Sequence, residues 1–371
     1  MLFLAAGMLL GGWTARYLPL VPEHSRLLEG LCEAALVVTL FCTGLRCTVA
    51  CSWSVWRAPV RLAVITLPAT LVLLACFAGV LLGLPFAQAL LLGAILAPTD
   101  AALPLELLPA ESQREDVSFT LAAEGALSSS LALPAALLGL GLLGRYEAGP
   151  FALRWLLLDV LWAVPAGALL GVLIGRGAAR LLARVAAAQP GLTELLLLAS
   201  ALALTYGTAL LLRANGLIAA FCAGAAIALS SQARTAAPAV LARRLAQLAQ
   251  PIERAAEWLV LLVLGALLVH VELRATLFIF ALVLLALVRP IAARLGLAGL
   301  GLAEPARQVL GWFGTRGAAS LYLLLHATNE GLPTGVAAEL MASGLAVLAM
   351  SVALHGLSAL PLSKRPVDLQ G

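Results

Sequence analysis

Residues 95–104, ILAPTDAALP, place two prolines, a threonine and an aspartate inside a stretch that is apolar enough to cross a bilayer. Proline removes a backbone donor and clashes with the preceding helical turn, so this helix is predicted to break near Pro98. A second stretch, GWFGTRGAAS (311–320), surrounds Arg316 with three glycines. Backbone groups freed at membrane depth are tolerated only within protein or beside a watery cavity. The two stretches therefore predict two broken helices that line a polar site.

The rest of the chain has the composition of a polytopic membrane protein. Of its 371 residues, 62% are hydrophobic and 11% are charged, which exceeds the apolar content of soluble domains. A membrane span needs about 20 apolar residues, and no linker divides the chain, so residues 1–371 are predicted to form a single all-α membrane domain. Twelve windows fit this length, with approximate limits 2–20, 27–46, 61–84, 86–108, 117–143, 155–175, 192–212, 215–232, 255–271, 275–291, 305–327 and 336–361.

The distribution of basic residues predicts the orientation in the membrane. Loops after the even-numbered spans, together with the C-terminus, hold 16 Arg and Lys residues, and the opposite side holds 6. Since cytoplasmic loops carry the basic excess, both termini are predicted to be cytoplasmic. The formal charge of +4 reflects this sidedness, so it indicates membrane lipid and no nucleic acid as the surroundings of the chain.

The position of the two breaks points to transport. The fourth and eleventh spans are seven apart, so they run in opposite directions, as in an inverted repeat. Paired broken segments in two halves are the best sequence indication of a secondary transporter's binding site. No GxxxxGK[ST] or HExxH motif is present and no nucleophile and base pair stands out, so we expect neither an enzyme nor a bound cofactor.

Three ionisable residues, Asp100, Glu124 and Arg316, lie deepest in their predicted spans. Buried charges usually pair or line an ion pathway, and we predict a structural ion pair between Glu124 and Arg316. This leaves Asp100 as the candidate to bind a cation or a proton. Thr99 and the serines at 128–130 could add neutral oxygen ligands, which hard cations prefer. Serines in membrane helices also bond to backbone carbonyls in close packing, so both interpretations of the serines stay open.

The chain resembles the monovalent cation:proton antiporter family, the bacterial sodium/hydrogen exchangers, over nearly its whole length. Single matching pieces are weak signals, but eight in order are specific. They are LFCTGLR (40–46), APTDAALP (97–104), EGALSSSLALP (124–134), DVLWAVPAG (159–167), TYGTALLLRANGLIAAFCAG (205–224), VRPIAA (288–293), GWFGTRGAASLYLLLHA (311–327) and SVALHGLSALPL (351–362).

This resemblance implies a fold, an activity and a set of residues. It implies two broken helices that cross at mid-membrane, a mobile core around 86–143 and 305–361, and a scaffold that dimerises. It implies exchange of Na⁺ or K⁺ for protons by alternating access in the bacterial inner membrane. The family's Thr-Asp pair falls on Thr99 and Asp100, and the two residues described as a buried ion pair in relatives fall on Glu124 and Arg316.

The sequence departs from the family pattern where the family has an Asn-Asp pair. Ser128 and Ser129 stand there, so the family's principal ion-binding aspartate is missing. Ala101 replaces a common proline and Leu210 replaces a common glutamate. Asp100 could therefore carry the cation and proton with the serines as neutral ligands, or the protein could move another solute without protons, as a channel, uniporter or anion carrier facing Arg316. It could also be a non-transporting sensor or assembly component.

Overall fold

A computed structural model describes residues 2–14, 22–47, 52–100, 115–185, 191–232 and 238–362. Every regular element in these ranges is helical. The α-helices are α1 Leu2–Thr14, α2 Pro22–Leu45, α3 Trp53–Arg61, α4 Leu67–Leu82, α5 Phe86–Leu96, α6 Glu115–Leu142, α7 Ala163–Val185, α8 Leu192–Leu211, α9 Gly216–Gln232, α10 Pro238–Leu268, α11 Ala275–Val283, α12 Arg289–Leu297, α13 Glu304–Trp312, α14 Ala318–Asn329 and α15 Thr334–Leu362.

The described helices confirm the predicted class of an all-α polytopic membrane protein. Seven helical stretches within the described ranges are long and apolar enough to cross a membrane, and three shorter apolar helices accompany them. Large apolar side chains remain exposed on the outer faces of α7 and α8, among them Leu169, Leu173 and Leu196. Such faces suit contact with lipid, because hydrocarbon is as apolar as these side chains.

Both predicted helix breaks occur. Helix α5 ends at Leu96, and residues 97–100 are not helical. Helices α13 and α14 are separated by the non-helical residues 313–317. The second half of the fourth predicted span, 101–108 with Ala101 and Pro104, lies outside the described residues.

Three π-helical stretches occur in the described residues; Trp155–Trp162 has no counterpart, and the other two fit an inverted repeat. The π-helical turns Leu62–Thr66 and Leu284–Val288 lie in the third and tenth predicted spans, and each is followed by a proline, Pro68 or Pro290. Like the two broken spans, these two are seven apart, and so they run in opposite directions. The two spans also contact each other, because the Thr66 hydroxyl donates to the Ala292 carbonyl at 3.2 Å.

Helices away from the breaks pack backbone against backbone. A methyl group at Gly44 of α2 would overlap the Phe221 carbonyl oxygen of α9, and one at Gly224 of α9 would overlap the Phe41 carbonyl of α2. Small residues permit this approach, which stabilises helix pairs in lipid by dispersion. Helices α2 and α9 therefore form a tight pair beside the broken helices.

Candidate functional site

The two unwound segments contact each other. The Asp100 amide donates to the Thr315 carbonyl at 2.8 Å, and Asp100 Oδ2 accepts from the Ala318 amide at 2.9 Å. Thr99 is buried, whereas Asp100 keeps part of its surface exposed. The residues predicted to form a site in the two broken spans are thus brought together.

Opposite charges lie at the interrupted ends of two helices. Asp100 accepts from the first residue of α14, where unpaired amides make the helix end electropositive,. Arg316 donates from Nε to the Leu96 carbonyl at the end of α5, and from Nη1 to the Gly314 carbonyl, each at 2.6 Å. Each charge complements the helix end that it contacts. The carboxylate of Asp100 therefore also caps α14.

The serines of α6 bind the unwound segment after α5. Thr99 donates from its amide to Ser128 Oγ at 3.2 Å, and the two hydroxyl oxygens are also 3.2 Å apart. Ser129 Oγ donates to the Thr99 carbonyl at 3.2 Å. Ser128 and Ser130 also donate to carbonyls of their own helix, those of Gly125 and Ala126. Ser128 and Ser129 thus satisfy backbone and side-chain groups that the break leaves without helical partners.

Glu124 forms its ion pair with Arg289, which corrects the predicted pair with Arg316. Arg289 donates from Nη1 to Glu124 Oε1 at 2.5 Å and from Nη2 to Oε2 at 2.9 Å. Both side chains are 2% exposed. Two parallel bonds between a guanidinium and a carboxylate form the strongest common ion-pair geometry. Arg316 is occupied instead by the Leu96 and Gly314 carbonyls.

Arg289 was not predicted as a site residue. It stands near the end of the tenth predicted span and was included among the 16 basic residues counted on the cytoplasmic side. In the structure the helical stretch Ala275–Leu297 continues past Arg289 and buries it. The available signal was the motif VRPIAA (288–293), a full charge followed by proline within an apolar run. A charge in such a run is a functional or structural site by default.

Gly317 lets α14 approach Asp100. A methyl group at position 317 would overlap Asp100 Oδ2 and press on its Cγ atom. We expect Gly317→Ala to displace this carboxylate and to lower the cation:proton exchange that the family resemblance implies at least tenfold, with the protein still folded. Flux into proteoliposomes measures the effect, and Gly335→Ala is the control, because a methyl group there meets no atom within 4 Å. Full exchange by Gly317→Ala would show that the position of this carboxylate does not matter.

Two more carboxylates, which the sequence did not single out, approach the site from α10. Glu253 and Glu257 lie close enough to Asp100 for their charges to interact. Glu253 is held by both terminal nitrogens of Arg46, one of them at 2.6 Å. Glu257, one turn further along α10, is partly exposed and makes no hydrogen bond within the described part of the chain.

Broken helices that meet at a carboxylate, within a polytopic bundle that carries signs of an inverted repeat, define a secondary transporter. The chain belongs to the family described as "Sodium/hydrogen exchanger, transmembrane", which matches residues 1–365. Family and fold together place it among the cation:proton antiporters.

The fold is also seen in a solved structure. The sodium proton antiporter MjNhaP1 from Methanocaldococcus jannaschii at pH 8 has a TM-score of 0.72 to this chain at 20% identity, covering 95% of this chain and 92% of MjNhaP1. A structure of the same antiporter from an electron-microscopy map gives the same TM-score and identity and covers 99% and 92%. No curated protein matches the chain in sequence.

Proposed function

We propose that this protein exchanges Na⁺ or K⁺ for protons by alternating access, with Asp100 holding either ion. Desolvation favours a protonated carboxyl group, and a bound cation favours the ionised form. One carboxylate that holds a proton or a cation, but not both, is sufficient for exchange. The oxygens of Thr99, Ser128 and Ser129 are the neutral ligands in this proposal, since alkali cations prefer oxygen.

The observation that carries the proposal is the surroundings of Asp100. Its carboxylate stays partly exposed at the contact of two unwound segments, while the neighbouring Thr99 is buried against Ser128 and Ser129. Hydroxyl oxygens that donate to carbonyls retain lone pairs that a cation can use. A titratable residue with partial exposure thus directly follows, along the chain, a buried cluster of neutral oxygens.

The alternative of an anion carrier that presents Arg316 to its solute has less support. Arg316 is 1% exposed, and two of its nitrogens donate to backbone carbonyls. A guanidinium held in this way stabilises the end of α5 and has little surface to offer an anion. The charge next to the exposed part of the site is the carboxylate of Asp100, which attracts cations.

We further propose that Glu257 supplies the second negative charge that Ser129 lacks. At an alkaline pH that keeps Glu257 ionised, we expect Glu257→Gln to weaken apparent cation binding by roughly three- to tenfold, because it removes one attractive charge near Asp100. The measurement is the cation concentration that gives half-maximal exchange in proteoliposomes. Glu272→Gln, at an exposed position, is the control for loss of one charge. An unchanged half-maximal cation concentration would show that Glu257 does not contribute to cation binding.

The finer arrangement follows the family resemblance. We propose that residues around 86–143 and 305–361 form the moving core and that the remaining helices form a scaffold, which pairs as a homodimer in a bacterial inner membrane with both termini cytoplasmic. The basic excess on one side supports the orientation. The exposed apolar faces of α7 and α8 offer surfaces for lipid or for a second copy.

The test of the function is gradient-driven exchange by the purified protein in proteoliposomes. An imposed Na⁺ or K⁺ gradient should move protons, which an internal pH dye reports. Cation flux without proton movement would support an uncoupled transporter or a channel in place of exchange. No flux of any cation from well-folded protein would support a sensor or assembly component.

A further inference from the structure

A polar cluster joins α14 to α2 at the end of α14 that is furthest from Asp100. His326 Nδ1 lies 2.8 Å from Glu29 Oε1, and Asn329 donates from Nδ2 to Glu29 Oε2 at 2.6 Å. Ser25 Oγ donates to Asn329 Oδ1 at 2.6 Å. Residues of α2 and α14 that are about 300 positions apart in sequence are thus joined through both oxygens of one carboxylate.

A second group of hydrogen bonds continues the cluster one helical turn deeper. Tyr206 of α8 and Tyr322 of α14 both donate to Glu33 Oε1, the latter at 3.3 Å. The rings of Tyr322 and His326 stack with centroids 5.8 Å apart. Glu29 and Glu33 are four residues apart, as are Tyr322 and His326, so each helix presents one continuous polar face.

Every bond of α14 in this cluster crosses between the proposed core and the proposed scaffold, whereas the bond from Tyr206 to Glu33 lies within the scaffold. Helix α14 belongs to the core, and α2 and α8 belong to the scaffold. Ala318, at the other end of α14, donates to the Asp100 carboxylate. Since a helix rises about 1.5 Å per residue, the 11 steps from Ala318 to Asn329 span about 17 Å. One rigid helix therefore connects the cation site to the cluster.

The cluster differs in kind from the contacts within the scaffold. Helices α2 and α9 are in close backbone contact at glycines. Separating them would lose the dispersion energy of that contact. At the cluster the contact is made by hydrogen bonds; Glu29 and His326 are 19% and 20% exposed, whereas Tyr322 is buried. Water can replace such bonds when the helices separate. This contact suits a surface that opens and closes.

We propose that Ser25, Glu29, Glu33, Tyr206, Tyr322, His326 and Asn329 form an extracytoplasmic latch that closes the outward path to Asp100. This inference rests on the proposed alternating-access function. In this proposal the latch is formed while the Asp100 site is open to the cytoplasmic side. It breaks when α14 moves with the core, and its groups then become hydrated.

The test uses a cysteine reporter behind the latch. Ala319 lies three residues before Tyr322 and seven before His326, which puts it on their face of α14 and nearer to Asp100. It is 2% exposed. The background is the full chain with its six native cysteines replaced, and Ala319→Cys is labelled from the extracytoplasmic side of oriented vesicles with a membrane-impermeant maleimide.

We expect the combined substitutions Tyr206→Phe, Tyr322→Phe and Asn329→Leu to raise the labelling rate at least fivefold. They keep the side-chain volumes but remove both tyrosine donors to Glu33 and the Asn329 donor to Glu29, while His326 stays beside Glu29. The Glu33 carboxylate and one oxygen of Glu29 then need water as a partner. Tyr146→Phe is the matched control, because it removes a hydroxyl that donates to Asp159 at 2.6 Å outside the latch. Equal rates in the latch variant and the reference protein would overturn the latch.

A second measurement, exchange by a crosslinked protein, tests the latch even if the triple variant does not fold. Ser25→Cys with Asn329→Cys, joined by a short methanethiosulfonate crosslinker, should stop exchange until a reductant is added. Undiminished exchange by the crosslinked protein would also overturn the latch. Labelling is read without transport, so a protein that exchanges nothing but still shows latch-dependent labelling would remove the proposed function and keep the latch.

Discussion

Asp100→Asn is expected to abolish gradient-driven proton movement while the protein remains folded. Asparagine can still accept a hydrogen bond from the Ala318 amide, and it is as good a helix cap as aspartate,. It can neither titrate nor offer a negative charge to a cation. The substitution thus separates the structural role of residue 100 from its proposed role in transport. The measurement is the pH-dye signal in proteoliposomes under a Na⁺ or K⁺ gradient, and we expect a loss of at least a hundredfold.

The matched control for this change is Asp159→Asn. Asp159 also lies in an apolar helix, is partly buried and accepts a hydrogen bond, in its case from Tyr146. We expect this variant to exchange at close to the normal rate. If proton flux persisted in Asp100→Asn, residue 100 would have no part in coupling, and Glu257 would become the next carboxylate to examine.

Breaking the pair between Glu124 and Arg289 is expected to cause the largest loss of stability. Removing either partner leaves a charge that is 2% exposed without its counter-charge, which typically costs about 3–5 kcal/mol. We expect Glu124→Leu and Arg289→Met each to lower the free energy of unfolding by this amount. The double variant should recover most of the loss, because two apolar side chains replace the pair without leaving a buried charge.

Unfolding by denaturant in detergent micelles measures these differences as a double-mutant cycle. Glu147→Gln serves as the control, since it breaks an ion pair with Arg154 whose side chains are 88% and 40% exposed. Exposed pairs contribute about 0–1 kcal/mol. Single losses at Glu124 and Arg289 that simply add in the double variant would show that the two residues act independently. A large loss of stability in Arg316→Met alone would not show that Arg316 pairs with Glu124. That substitution also removes hydrogen bonds to the Leu96 and Gly314 carbonyls.

Arg289 and Arg316 show how far sequence reasoning reaches within this site. Both lie in motifs that match the family, and either could neutralise Glu124 from an adjacent helix. The choice between them depends on the register of α6 against α12, which no local pattern encodes. The same holds for Asp100, because its bond to Ala318 joins residues 218 positions apart. Nor did the sequence single out Glu257, because its interaction with Asp100 depends on how α10 packs.

Local sequence patterns predicted the membrane class and the two breaks at Pro98 and at the glycines around Arg316, both of which the structure confirms. The orientation expected from the basic residues stays a prediction. These features are local: hydrophobic length, charge bias, and the backbone chemistry of proline and glycine act within one helix. Contacts between distant helices show which guanidinium neutralises Glu124, that Asp100 caps α14, and that Glu29 and Glu33 meet α14 at its far end. Those pairings depend on the rotation and depth of separate helices in the bundle. Rotation and depth come from the packing of the whole chain, so no single segment specifies them.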